Sequence, residues 1–255
     1  MKIGIIYCAY NCLKYAQESL APFVGLRRLN LIHKISAVSV PFEEYRSITS
    51  EDDATADFLL RLEKNGEIDR VFTEPKYIKE HFARDLCLQY LKTEQCDAVW
   101  MVDGDEFYTL DQINSIIDFI KTNDLHYWYS INFKNYIFDG QQWVDGFCPA
   151  RIFKTSSSEL QVDKFYWDND LSYKNANYEN VGYKQLNNLM IPKTIAHVKH
   201  MTWLHENGKV KYEYQMKHFG NCGYEWDYEK NELKFNKEFY LKTKQEIPTI
   251  YCEKI

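Results

Sequence analysis

The sequence predicts an α/β protein with a mostly parallel central sheet flanked by helices. Three observations carry this expectation. Strand-like and helical patterns alternate through the first half of the chain, which is how parallel strands joined by crossover helices are built. The strand segments are nearly continuous apolar runs, as strands covered on both faces must be. And 255 residues at 45% hydrophobic content supply a core that needs no disulfide or metal staple.

The elements follow in order. Lys2-Ile3-Gly4-Ile5-Ile6-Tyr7 is β-branched and apolar and opens the sheet. Beyond Cys8-Ala9-Tyr10-Asn11, the residues Ala16, Leu20, Phe23 and Val24 recur with the spacing of one helix face. Ile35-Ser36-Ala37-Val38-Ser39-Val40 is the second strand, stopped by Pro41. Residues 49–65 begin acidic and continue helical, with Phe58, Leu59 and Leu62 as the apolar face and Gly66 as the stop. Residues 69–73 form a short third strand. Pro75 suits the first turn of a long helix whose Ile78, Phe82, Leu86 and Tyr90 recur every four residues. Ala98-Val99-Trp100-Met101-Val102 is the fourth strand, and Thr109 with Gln112 has capping-box spacing for a helix carrying Ile113, Ile116, Ile117 and Ile120. Past Asp124 the texture changes. Residues 127–133 and Ala150-Arg151-Ile152-Phe153 look like strands, residues 163–188 like loop with short pieces of structure, and a strand near residue 195 leads into a mixed helical tail. No repeat or low-complexity linker divides the chain, so a single domain over residues 1–255 is expected.

Composition excludes several functions. Thirty-one Lys and Arg against 37 Asp and Glu leave a net charge of −6, which disfavours non-specific binding to polyanionic nucleic acid. No apolar run is long enough to cross a bilayer, and the N-terminus lacks the layout of a signal peptide. The seven cysteines are scattered without a CxxC pair, which points to reduced thiols and a cytoplasmic compartment. Cys8 and Cys12 are four apart, but a zinc site would want a second pair. Aromatic residues make up 16% of the chain, enough for sugar- or base-stacking surfaces as well as core.

The sharpest motif is Asp103-Gly104-Asp105-Glu106, delivered by an apolar strand to the carboxyl edge of the sheet, where ligands of open α/β sheets bind. Gly104 allows close backbone approach. Three such carboxylates repel one another unless protons or a cation intervene. A hard divalent ion, held by one or two of them and completed by phosphate oxygens and water, is one solution. A solvated acidic turn capping the next helix is the other.

With Ile3-Gly4-Ile5-Ile6-Tyr7-Cys8-Ala9-Tyr10-Asn11 and, about ninety residues on, Val99-Trp100-Met101-Val102-Asp103-Gly104-Asp105-Glu106-Phe107, the sequence resembles GT-A glycosyltransferases of the family 2-like, DxDEF-containing branch. The resemblance covers roughly residues 1–155. It implies the GT-A fold, a Rossmann-like sheet with a nucleotide-sugar-binding half over residues 1–124 and an acceptor half with a tail over residues 125–255. It also implies transfer of a sugar from a UDP- or GDP-sugar with Mn²⁺ or Mg²⁺. Asp103 would sit by the ribose or the metal, and Asp105 would bind the ion that bridges the donor diphosphate. Ala9, Tyr10, Asn11 and Gly104 would line the nucleotide. Arg84 matches an arginine that approaches the donor, a surface ion pair with Glu80 being its other reading. Where many members carry an acid at the end of the second strand to read uracil, this chain has Val40-Pro41-Phe42, so either Glu43 acts from a shifted position or a backbone group and Phe42 do.

His197, His200 and His205 crowd into nine residues. By the same resemblance His200 is the third metal ligand, with His205 in reserve. Trp203, Lys209 and Lys211 suit a loop closing over the diphosphate. Phe165-Tyr166-Trp167-Asp168-Asn169-Asp170 offers aromatic stacking beside two carboxylates, so Asp170, ahead of Asp168, is the candidate general base for an acceptor hydroxyl. Residues 193–255 hold eleven Lys against nine acids, too balanced for a DNA groove, which ranks a glycan acceptor above modified DNA or protein. Two other readings stay open. A nucleotidyltransferase would want a Gly-rich basic loop after the first strand, and a non-catalytic carbohydrate-binding protein would not need the acidic cluster.

Overall fold

A computed structural model describes residues 1–43, 54–74, 76–138, 140–156, 160–165, 171–204, 209, 212–214, 216–217, 220 and 223–252. The described chain is mixed α/β with a mostly parallel central sheet, and it divides into two compact units. One comprises Met1–Ile131 with Cys148–Ala196, the other Asn132–Phe147 with His197–Ile255.

The first unit opens with β1 (Ile3–Cys8), α1 (Leu13–Arg28), β2 (Lys34–Ser39), α2 (Thr55–Lys64), β3 (Arg70–Thr73), α3 (Glu80–Thr93), β4 (Ala98–Asp103), β5 (Glu106–Phe107), α4 (Leu110–Thr122) and β6 (Trp128–Ser130). The chain leaves this unit for β7 (Asn132–Phe138) and β8 (Gln142–Phe147). It returns for β9 (Ala150–Lys154), β10 (Leu160–Phe165), β11 (Leu171–Asn175), β12 (Asn180–Gly182) and β13 (Asn188–Met190). The central sheet runs β13-β6-β9-β4-β1-β2-β3. β4, β1, β2 and β3 are mutually parallel, while β9 runs against both β4 and β6.

β1 is buried along its whole length, and β4 along all but its last residue, because both faces are covered. On one face, Ile6, Cys8, Val99 and Met101 pack with Ala83, Cys87, Leu88 and Leu91 of α3 and with Val162, Phe165, Leu171 and Tyr173 of the small β10-β11-β12 sheet. Here Gly4 is needed: a Cβ would meet Leu91 and Cys96 at 2.8 Å. On the other face, Phe23 of α1, Trp100 and Tyr108 form a trio of edge-to-face rings, each pair 5.2–5.5 Å apart.

The capping box of α4 forms as expected, and its four isoleucines are buried. α3 corrects the expectation in two ways. It begins at Glu80 rather than near Pro75, and the stripe of Phe82 and Leu86 is its exposed side, at 57% and 39%. Two apolar stripes compete on this helix, and the sheet takes the one with Ala83, Cys87 and Leu91, of which Leu91 packs directly on Gly4. Residues 163–188, where described, carry the short pieces of structure expected within a loop. They hold short strands in which a register shift near Val162 and polar residues hide the two-residue period.

In the second unit the strands run β17-β8-β7-β14, adding β14 (His197–Leu204) and β17 (Ile250–Cys252). β14 is parallel to β7, and the β7–β8 and β8–β17 pairs are antiparallel. The expected mixed helical tail contains a hairpin, β15 (Tyr224–Asp227) with β16 (Glu232–Phe235), followed by α5 (Lys237–Thr243), and the described residues 209, 212–214 and 216–217 are helical as well. Its core gathers Ile137, Val144, Trp226 and Leu233. No described helix is long and apolar enough to cross a membrane, and none of the described cysteines forms a disulfide.

Candidate functional site

The central sheet reverses its winding between β1 and β4. From β1 the chain steps outward to β2 and β3, then crosses back to lay β4 on the other side of β1. In open α/β sheets a ligand crevice lies at such a switch point, outside the carboxyl ends of the strands. Both strands end there together, since Cys8 is the register partner of Asp103. The loop after β1 and the acidic turn after β4 therefore leave the same edge side by side.

Close packing ties these two segments together. The Gly104 amide donates to the Cys8 carbonyl at 2.8 Å, and the Gly104 carbonyl accepts from Ser19 Oγ at 2.9 Å. Ser19 in turn meets the Tyr7 hydroxyl at 2.7 Å in the buried interior. A Cβ on residue 104 would lie 2.6 Å from Cys12 Sγ and 3.1 Å from Ala9 Cβ, so only glycine fits. On the loop itself, Ala9 is buried and its amide donates to Val38 at 3.1 Å. Tyr10 and Asn11 are half-buried, Asn11 in the left-handed region at φ 50°, and the Cys12 amide donates to Thr55 Oγ1 at 3.0 Å.

The acidic turn carries its own counter-charges. Asp103 Oδ1 accepts from Arg84 Nη2 at 2.9 Å, and Asp103 Oδ2 from Arg151 Nη2 at 3.0 Å. Arg84, in the second turn of α3, also reaches Glu80 at 2.5 Å. Of its two expected partners it keeps the ion pair, but as a buried residue, 4% exposed, rather than a surface one. Arg151 is delivered by the start of β9, which runs antiparallel to β4 and so begins where β4 ends. Its Nε and Nη2 both donate to Glu106 Oε1, at 2.9 and 2.5 Å. The other Glu106 oxygen accepts from the Tyr108 hydroxyl at 3.0 Å. Repulsion within the motif is thus offset from inside the protein at Asp103 and Glu106.

Burial sets the protonation of this cluster. Glu106 is fully enclosed, which pushes its carboxyl up to about 8, with Arg151 pulling the other way. Burial opposes the charge on both guanidinium groups. The carboxylates around them outweigh it, Asp103 and Glu80 for Arg84, Glu106 and Asp103 for Arg151, and hold both above the ordinary arginine value. Burial likewise lifts Tyr7, Cys8 and Tyr108 well above their usual ranges, so all three are neutral at physiological pH.

No family model and no curated protein matches the sequence. Among solved structures, S. aureus TarS 1–349 in complex with UDP-GlcNAc aligns with a TM-score of 0.34 at 17% identity, over 54% of this chain and 34% of that one. Mannosyltransferase PcManGT from Pyrobaculum calidifontis, in complex with GDP-Man and Mn²⁺, aligns with a TM-score of 0.49 at 12% identity, over 86% of this chain and 63% of that one. The chain matches less than two thirds of the length of either. At these scores neither likeness decides an activity.

The switch-point edge gathers Ala9, Tyr10, Asn11, Arg84, Asp103, Gly104 and half-buried Asp105 from the predicted residues. Glu43 lies four residues beyond the end of β2, with an exposed side chain and its amide on the Ile78 carbonyl at 2.9 Å. His200 and Lys209 belong to the second unit. His200 is buried, with Nδ1 2.8 Å from Asn135 Oδ1 on the neighbouring strand. Lys209 is exposed, 4.0 Å from Glu213. His197 Nε2 lies 2.8 Å from Asp145. Asp168, Asp170, His205 and Lys211 lie outside the described residues, as does the Trp203 side chain. Sequence reasoning missed Arg151 as a functional residue. Its signal was a lone charge inside the apolar run Ala150-Arg151-Ile152-Phe153, because an arginine on a buried strand needs an acid to meet.

Among the described residues no cluster of three or more His, Cys, Asp and Glu side chains is spaced to hold an ion. The donor set at the edge still fits a hard divalent ion. Glu80, Asp103 and Glu106 pair with Arg84 and Arg151, and such ions are commonly held by only one or two carboxylates plus substrate phosphates and water, a part that Asp103 and Asp105 of the turn fit.

Proposed function

We propose that the chain is a metal-dependent glycosyltransferase of the GT-A type, moving a sugar from a nucleoside-diphosphate sugar to an acceptor, a glycan before other classes. The observation that carries this reading is the stacking of the acidic turn on the loop after β1 at the switch point of a parallel sheet, with Gly104 clamped between them. A crevice there suits a nucleotide, and the carboxylates beside it suit the cation of a diphosphate.

In this proposal Asp105 is the principal protein ligand of a Mn²⁺ or Mg²⁺ ion, which when bound would offset charge developing on the departing diphosphate. Asp103, fixed by its two arginines, faces the ribose. Ala9, Tyr10 and Asn11 line the base and ribose, and Glu43 is the candidate for reading the base edge from beyond β2. Arg84 holds Asp103 and supplies positive potential next to the donor. His200 and Lys209 keep the roles implied by the resemblance, a third ligand and a diphosphate contact. Asp170, ahead of Asp168, remains the candidate base that takes the acceptor hydroxyl proton.

The test is a thermal-shift panel of nucleoside diphosphates with and without Mn²⁺. Stabilisation by one of them that needs Mn²⁺ is expected, of about 2.7 kcal/mol at a hundredfold excess over Kd. Indifference to every nucleotide overturns the reading.

A further inference from the structure

We infer that Arg151, locked by Glu106, is a positioning residue for the acidic turn, holding Asp103 and, one residue beyond Gly104, Asp105 in the geometry that receives a nucleotide-bound cation. The inference rests on the transferase reading and deepens it.

Four features support it. Arg151 is buried, 6% exposed, and turns its guanidinium to the motif: Nε and Nη2 on Glu106, Nη2 also on Asp103. Glu106 is enclosed and has no role at a solvent-facing cation, so its place in the motif is to anchor Arg151, with Tyr108 closing its second oxygen. The two Asp103 oxygens are divided between arginines from different elements, Arg84 from α3 and Arg151 from β9, which fixes the carboxylate plane from both sides. Finally, Gly104 offers no side chain to steady the turn, so its orientation falls to the residues on either side. Partners that orient a ligand set in this way typically change metal affinity by about 10- to 100-fold when removed.

Electrostatics and positioning predict opposite signs, which makes the point testable. If Arg151 were only a positive charge near a cation, its removal would tighten Mn²⁺ binding. If its planar fork sets the geometry, removal loosens Mn²⁺ binding, and a lysine, with the charge but not the fork, does not rescue it. The experiment is calorimetric titration of UDP and GDP into the full chain across a Mn²⁺ series, for wild type, Arg151→Met and Arg151→Lys, each checked for fold by circular dichroism. In both variants the Mn²⁺ concentration that half-saturates nucleotide binding should rise about tenfold. Should Arg151→Met fail to fold, Arg151→Lys alone carries the comparison. An unchanged or lower Mn²⁺ requirement in a folded variant overturns the inference while leaving the transferase reading intact. Wild type that binds neither nucleotide with Mn²⁺ sinks that reading, and this inference with it.

Discussion

Asp103 and Asp105 are two residues apart, and the proposal gives them different parts. Asp103 already has an arginine on each oxygen. Asp105 sits half-buried past the glycine and is the residue on which the proposed ion depends. Asp105→Ala should therefore abolish Mn²⁺-dependent nucleotide stabilisation and lower turnover by at least about 100-fold, while the melting temperature without ligand stays within a degree or two. Thermal shift with and without Mn²⁺ and a donor-hydrolysis assay check both halves. A variant that keeps full activity removes Asp105 from the site. The motif itself was legible in the sequence because an acidic run after an apolar strand stands out. Arg151 was not, because its partner lies 45 residues away and only the antiparallel return of β9 brings them together.

At the level of elements, legibility followed how many signals agreed. α4 has a capping box, a four-isoleucine face and a polar opposite side, and it forms where all three place it. α3 has two apolar faces, and a four-residue recurrence cannot say which one meets the sheet. That choice is settled by steric fit over Gly4, a relation between residues 80 or more apart. A paired substitution checks the assignment. Leu88→Ala, at 0% exposure, should lower stability by about 2–4 kcal/mol, and Leu86→Ala, on the open side, by less than about 1. Urea denaturation of both variants reads the difference, and equal losses would mean the helix packs by its other stripe. The strands β10, β11 and β12 were hidden for a different reason: they are short, bulged and rich in polar residues, so no period survives in a window of their length.

For the molecule as a whole, the alternating α/β plan was readable from the sequence because parallel strands covered on both faces leave continuous apolar runs. The chain's excursion into a second unit at Asn132 and its return at Cys148 were not, since no change in composition marks either crossing. The same plan has a consequence for pH. Enclosing Glu106 inside the first unit raises its pKa from the ordinary carboxyl value of about 4.5 to about 8, so between those values the folded protein holds a proton that the unfolded chain has released. Stability contributed by this group is complete below about pH 4.5 and declines as pH rises through about 8. Melting temperatures from pH 5 to 9 should fall across that window in wild type, and Glu106→Gln, which cannot ionise, should flatten the decline. A parallel slope in the two proteins would show that Glu106 is ionised throughout, held so by Arg151, and that the pair stands as a full ion pair at every pH at which the fold survives.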